Sequence, residues 1–392
     1  MTSHRLRVAM LAAGLATFAL LYATQPILPQ LAQDFRLNEA QASLAISLTT
    51  GPLAFGLVAA GLLSDRLGRR GVMIASLFAA SILTCASAIV SSWGFLLASR
   101  LLIGLALAGV PSVAMAYVAE EAGAGAIATV MGLYVSGTTI GGMAGRVGVS
   151  VVADHFGWQA GLAAIGGAGL LAALIFCWAA PPSRGFTARH HDWQSVAAAI
   201  GRLRRDAAMR WLYAEAFLLM GGFVTLYNYA GFHLQEAPYD LSPSAVGALF
   251  LIYLVGTASS AWFGRLASRR GTATIFPIPT LLFLAGILLT LVPGLVAFVI
   301  GLALATGGFF GAHSIASSWV SHRAGADRAT AASFYLFFYY MGSSVLGSVG
   351  GLAWGQAGWH GIVAYAGLLV ILGLLISGYL RHVERPTVAE RA

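Results

Sequence analysis

The sequence predicts an all-α membrane protein of twelve spanning helices, arranged as two pseudo-symmetric bundles of six. Three observations predict it: a composition too apolar for a water-facing surface, twelve apolar runs of spanning length, and a second half that repeats the first. Of 392 residues, 58% are hydrophobic and only 9% are charged, whereas soluble domains carry about 25% charge. Too few polar side chains exist to coat a soluble particle of this size, so most of the surface must face lipid. Glycine is abundant at 48 residues, as suits helices that must approach closely in lipid.

An apolar run of about 20 residues crosses a hydrocarbon core about 30 Å thick. Such runs occupy roughly 7–30, 42–63, 71–91, 94–119, 127–152, 159–180, 211–234, 243–264, 272–292, 294–320, 330–354 and 359–380. No alternating strand pattern occurs, so helices rather than a barrel satisfy the backbone in lipid. The first run follows Arg5 and Arg7, as in a signal peptide. It is too long for one and lacks a small-residue cleavage site, so it counts as the first span. Residues 181–210 are the longest polar stretch, open with Pro181-Pro182, and divide the runs six and six. They read as a cytoplasmic linker with a short surface helix around 193–204. The expected organisation is a bundle over 1–180, the linker 181–210, and a second bundle with a short tail over 211–392. Cys85 and Cys177 lie inside runs and read as packing residues, not as a disulfide or metal site.

Orientation follows from arginine, since the chain has no lysine. With the N-terminus inside, 19 of the 22 arginines fall in loops or tails on one side, Arg36 alone on the other, and Arg100 and Arg146 within runs. That asymmetry predicts two cytoplasmic termini. The net charge of +8 therefore belongs to short loops and forms no basic stripe for nucleic acid.

The repeat is visible directly. Leu21-Tyr22 recurs as Leu226-Tyr227, the six residues Ile103–Ala108 as Ile300–Ala305, Ala128-Thr129 with Tyr134 as Ala329-Thr330 with Tyr335, and Gly157-Trp158 as Gly358-Trp359. The offsets stay near 197–205 residues and keep one order, which isolated dipeptides would not do.

The sharpest local motif joins the second and third runs: Gly61-Leu-Leu-Ser-Asp65-Arg66-Leu-Gly68-Arg69-Arg70. It resembles the signature loop of the major facilitator superfamily. The matching stretch Gly264–Arg270 lacks the aspartate. Arg100 with Gly104 resembles that family's fourth-helix motif. Gly137-Thr-Thr-Ile-Gly141-Gly142 resembles the fifth-helix motif of its antiporters, with Thr138 where they have proline. Gln25-Pro26-Ile27-Leu28-Pro29 resembles the first-helix end of drug and metabolite exporters. Over nearly the whole chain the sequence looks most like the YnfM-type branch of bacterial inner-membrane efflux permeases, most closely over Ala16–Tyr22, Glu215–Gly221 and Gly307–Trp319.

The resemblance implies a secondary transporter working by alternating access, with a substrate site between the halves and one half rocking against the other. It implies that Gly61 permits a close helix contact, that Asp65 sits near a helix N-terminus of the other half, and that Arg66, Arg69 and Arg70 close the cytoplasmic side. Gly68, Gly137, Gly141 and Gly142 complete the expected gating set.

Charged groups inside spans are costly and mark function. Arg100 and Arg146 both lie about six residues from an outer end, roughly 9 Å deep at about 1.5 Å per residue. Together they read either as an anion-attracting outer vestibule or as side chains that snorkel or cap backbone carbonyls. Glu215 and His313 lie near the inner ends of their runs and read as a proton-carrying pair or a static hydrogen bond, with Arg100 a further proton-coupling candidate. Tyr22, Gln25, Tyr227, Asn228 and Tyr229, with Arg146, read as the wall of a substrate cavity. The aromatic run Phe334–Tyr340 reads mainly as packing.

The function expected is proton-coupled antiport that exports small metabolites or drugs across a bacterial inner membrane. The alternatives are import or facilitated passage of an anionic metabolite and, more weakly, a transporter-like solute sensor. The partners expected are a small-molecule solute, protons and the bilayer, with the chain a monomer. No nucleophile–base set, phosphate loop or metal cluster is recognisable, so no enzyme activity, catalytic residue, metal or cofactor is predicted.

Overall fold

The fold comes from a computed structural model that describes residues 2–123, 125–183 and 193–383. Arg184, Arg189, Arg385 and Arg391, which contribute to the loop asymmetry, lie outside the described residues. Among the described residues every regular element is helical, and each of the twelve apolar runs forms helix. Proline decides where runs break, because it lacks an N–H and fixes φ. The first run is not one helix: α1 (Thr2–Leu21) ends early, Gln25–Ile27 make a 3-10 turn through Pro26, and α2 (Leu28–Phe35) restarts with Pro29 in its first turn. The second and third runs are α3 (Glu39–Leu67) and α4 (Arg69–Ser87). The fourth splits around Gly109 and Pro111 into α5 (Trp93–Leu107) and α6 (Ala114–Glu121). The fifth and sixth runs share α7 (Ile127–Ala179), which folds at Gly157.

The amphipathic linker helix forms as α8 (Trp193–Arg205), followed by α9 (Ala207–Gln235). The eighth run comprises α10 (Pro243–Ala248), a 3-10 turn at Leu249–Ile252 and α11 (Tyr253–Arg270). Pro277 and Pro279 divide the ninth into α12 (Thr272–Ile275) and α13 (Pro277–Leu289). The tenth is α14 (Leu295–Ala324), and the last two share α15 (Arg328–Val383), which folds at Ala357-Gly358.

The sequence repeat has a backbone counterpart. Gly68 and Gly271 have φ of +87° and +91°, and Gly157 and Gly358 have +84° and +54°. Only glycine takes that conformation without a Cβ penalty, so matched turns fall at matched places in the two halves.

By packing, the chain divides into two compact units: Met1–His191 with Asn228–Leu251, and Asp192–Tyr227 with Ile252–Ala392. In the first, α1 lies along α7 on a glycine seam. An added Cβ at Gly137 would sit 2.6 Å from Leu11 O, at Gly141 2.6 Å from Leu15 Cα, and at Gly145 2.7 Å from Ala19 Cα. The core beside this seam gathers Leu6, Met10, Met73, Leu77, Tyr117 and Phe176. In the second unit, aromatic rings take the central place: Phe223 stacks on Phe309 at 3.9 Å, with Phe283 and Tyr253 edge-on or tilted around them. Large apolar side chains such as Ile82, Leu171, Val296 and Leu375 stand exposed, as helices in lipid require.

Candidate functional site

The loop between α3 and α4 shows how its motif works locally. Gly68 caps α3 with its N–H on Ser64 O at 3.0 Å, and its positive φ lets α4 begin at the next residue. Arg69 turns back to an ion pair with Asp65 at 2.5 Å, a second with Glu120 at 3.2 Å, and Ser64 Oγ at 2.6 Å. Arg70 donates to the carbonyls of Cys177 (2.7 Å) and Ala180 (3.0 Å), the end of α7. Arg66 is exposed. A Cβ on Gly61 would meet nothing within 4 Å among the described residues. The motif thus fastens α3, α4, α6 and the end of α7 into one cluster.

The two arginines inside the spans do different work. Arg100 is fully buried. It donates to Thr49 Oγ1 (2.9 Å), Ala45 O (3.3 Å), Leu20 O (3.3 Å) and Leu21 O (2.8 Å). The last two are carbonyls that the early end of α1 leaves without helical partners. Arg100 is therefore a carbonyl cap for the broken first span, and among the described residues it has no acidic partner.

Arg146 belongs to a second cluster. Its Nη1 donates to Gly142 O at 2.6 Å and its Nε to Gln25 Oε1 at 2.7 Å; Gln25 Nε2 then donates to Asn228 Oδ1 at 2.8 Å. The guanidinium lies 4.2 Å from the Tyr22 ring centroid and 5.1 Å from that of Phe250. Several local features assemble this group. The Pro26 turn presents Gln25, while α10 starts under Asp154, which accepts from Ser244 N–H at 3.3 Å. Gly247 comes close against Ser150, with an added Cβ 2.3–3.8 Å from its atoms, and that approach places Phe250 beside Arg146. Tyr22 and Gln25 of the first run, Arg146 of α7 and Asn228 of α9 are thus brought together. Tyr229 is fully buried beside Phe232 at 6.2 Å, and the hydroxyl of Tyr227 bonds Thr306 Oγ1 at 2.7 Å.

Glu215 and His313 are not hydrogen-bonded to each other. Glu215 is fully buried, and neither carboxylate oxygen has a hydrogen-bond partner among the described residues. His313 Nδ1 lies 2.9 Å from the hydroxyl of Tyr335, its ring stacked on Phe309 and tilted to Tyr339. Tyr213 stacks on Phe338 at 5.6 Å, and an added Cβ on Gly342 would lie 2.8 Å from Phe217 Cα. Those contacts bring the 213–217 turn of α9 against 338–342 of α15, one turn from Tyr335, which is within electrostatic reach of Glu215. On the far side, Glu215 faces Gly373, where an added Cβ would come within 2.8 Å of its Oε1.

A family model described as the Major Facilitator Superfamily matches residues 10–325. The chain is a member of that superfamily. Over 378 residues it is 44% identical to the inner membrane transport protein YnfM of Escherichia coli (strain K12), covering 96% of this chain and 91% of that protein. It is 40% identical over 384 residues to the uncharacterized MFS-type transporter YybF of Bacillus subtilis (strain 168), covering 98% and 95%. The solved structure of the nucleoside transporter NupG superposes with a TM-score of 0.77 at 16% identity, covering 95% of this chain and 98% of that one; a likeness at that identity concerns the fold alone. This superfamily member is a multi-pass membrane transporter of small molecules.

Three residues of these clusters were missed in the sequence as functional. Phe250 and Thr306 carry no local signal. Tyr335 appears as the repeat mate of Tyr134 and inside the aromatic run read as packing, and its bond to His313 crosses to α14, 22 residues earlier.

Proposed function

We propose that the chain exports small metabolites or drugs by alternating access, coupled to protons moving inward, with Glu215 and His313 as the carriers. One observation supports this above the others. Glu215 is buried with both oxygens unpartnered among the described residues, beside the hydrogen-bonded pair Tyr335–His313. An ionised carboxylate held that way is expensive, so a proton must share the site for the group to stay buried. When the carboxylate becomes exposed on one side or the other, the proton leaves, and the cost of returning empty couples the two movements. On this reading both termini are cytoplasmic in a bacterial inner membrane. The bundles are 1–180 and 211–392. The residues Asp65, Arg66, Arg69 and Arg70 with Gly61, Gly68, Gly137, Gly141 and Gly142 shape the gates.

The test is solute flux in proteoliposomes under an imposed pH gradient. Flux should follow the gradient, stop with a protonophore, and lose its pH dependence in Glu215→Gln and His313→Ala. Gradient-driven flux that a protonophore leaves unchanged would refute antiport. Full proton-driven flux in both variants would refute the carriers while leaving antiport standing. A second reading, passage of an anionic metabolite in either direction, is favoured by one observation, the cluster around Arg146.

A further inference from the structure

The cluster of Gln25, Arg146 and Asn228 is buried, each residue being no more than 3% exposed. Its hydrogen bonds all run one way. Arg146 donates to Gln25, Gln25 donates to Asn228, and the chain ends on the amide nitrogen Asn228 Nδ2, which has no partner among the described residues. That leftover donor follows from the residues present. Arginine can only donate, and each amide offers one acceptor group and two N–H donors. Turning the Gln25 amide would set N–H against N–H at Arg146, and turning Asn228 would do so at Gln25. The orientation is therefore forced, and the unmade bond needs an acceptor from outside the three residues.

The charge that these residues bring is positive, and the guanidinium is held in place by the faces of Tyr22 and Phe250. Those rings attract the cation and lie on its faces, so its hydrogen bonds to Gln25 Oε1 and Gly142 O run in its plane. Such a site takes an anion with two oxygens in one plane, one for Asn228 Nδ2 and one for the guanidinium edge. Guanidinium–carboxylate bonds are also stronger than guanidinium–amide bonds, so a carboxylate would displace Gln25 Oε1 from Arg146.

We infer that Arg146, Gln25 and Asn228 form the binding site for the carboxylate of a small organic acid carried by this transporter. The inference deepens the transport reading by naming its solute class, and it does not depend on direction or on proton coupling. It also gives the solute a mechanical effect. A bound carboxylate breaks the bond from Arg146 to Gln25, and with it one tie between the Pro26 turn and α7.

The test is equilibrium binding of radiolabelled benzoate to the purified full chain in nanodiscs, with benzamide as a neutral competitor of the same shape. Benzoate should bind saturably, and benzamide should not displace it. Arg146→Gln and Asn228→Leu should each weaken binding by about tenfold or more, as loss of a charge-assisted or buried bond implies. Asn228→Asp, which keeps the acceptor for Gln25 Nε2 and puts a carboxylate oxygen in place of the unpartnered donor, should abolish binding while leaving the thermal unfolding temperature near that of the wild type. This last variant reports on the site even if the other two fold poorly. Absence of saturable benzoate binding by the wild type, equal displacement by benzamide, or wild-type binding by Asn228→Asp would each overturn the inference. Any of these with proton-coupled solute flux intact would sink the carboxylate site and leave the antiport reading; benzoate binding without proton coupling would do the reverse.

Discussion

Gly141→Ala puts the packing of the first unit to a direct test. The new methyl would stand 2.6 Å from Leu15 Cα and 2.7 Å from Leu15 C, whereas ordinary contact begins at 3.4 Å. These neighbours, and Leu15 O closer still, are backbone of α1, so no rotamer change relieves the clash and α1 must shift away from α7. Overpacking of this kind costs about 1–3 kcal/mol. The upper part of that range applies, because α1 is also pinned by Arg100 at its end, through Leu20 O and Leu21 O. Gly148, seven residues further along α7, supplies the control, since a Cβ there meets nothing within 4 Å among the described residues. Its alanine variant should be neutral or slightly stabilising, as alanine favours helix over glycine by roughly 1 kcal/mol. The assay is thermal unfolding of the two detergent-solubilised variants followed by tryptophan fluorescence. Gly141→Ala should unfold several degrees below Gly148→Ala. Equal unfolding temperatures would show that α1 and α7 do not meet on this seam.

Arg100→Met should destabilise the chain by about 2–4 kcal/mol, since it strips a charged donor from two α1 carbonyls; a variant as stable as wild type in the same unfolding assay would remove the capping role. Gly373→Ala, which brings a methyl within 2.8 Å of Glu215 Oε1, should alter the pH dependence of solute flux more than it alters unfolding temperature, and the opposite pattern would count against Glu215 as carrier. At the arginine-rich end of the second unit, Asp206 pairs with Arg323 at 2.7 Å and Asp327 with Arg202 at 2.8 Å. Burial pushes Asp206 up, but Arg323 and the N–H groups of Met209 and Ala208 outweigh it and hold the carboxyl below its ordinary value; Asp327 is held down by its hydrogen bonds from Arg202. Folded carboxyls that titrate low bind fewer protons than unfolded ones, so their stabilisation is complete above the ordinary carboxylate range and fades as pH falls through the depressed values. Arg323→Ala should therefore cost up to about 1 kcal/mol at neutral pH and nothing in strong acid. A pH-independent difference in unfolding temperature would contradict this.

Much of the fold was legible because lipid leaves few choices. An apolar run of spanning length must be helix, and arginine shows which loops share a side. The repeat was legible down to single residues, since Gly157 and Gly358, matched in the sequence, both take a positive φ where a helix folds back. The breaks within runs were less so. Proline says that a helix is disturbed, but whether it kinks or stops depends on what collects the freed carbonyls, and at Leu21 that is Arg100 from a distant helix. The same limit applies to the clusters. Burial cost singles out Arg100, Arg146, Glu215 and His313 from sequence alone. Their partners come from other helices, and nothing local announces them. Arg100 and Arg146 are equivalent by depth, yet one meets free carbonyls and the other an amide and two rings. Glu215 and His313 are neighbours by depth, yet Tyr335 holds the histidine.

Proton movement can be measured without knowing the solute. Proteoliposomes carrying the wild-type chain and loaded with pyranine, a pH-sensitive dye, are exposed to a solute pool extracted from bacterial cells. The account predicts a solute-dependent change of luminal pH in the wild type, and none in Glu215→Gln although that variant still exchanges solute. Solute exchange by the wild type with no pH change, or an unchanged pH response in Glu215→Gln, would contradict it.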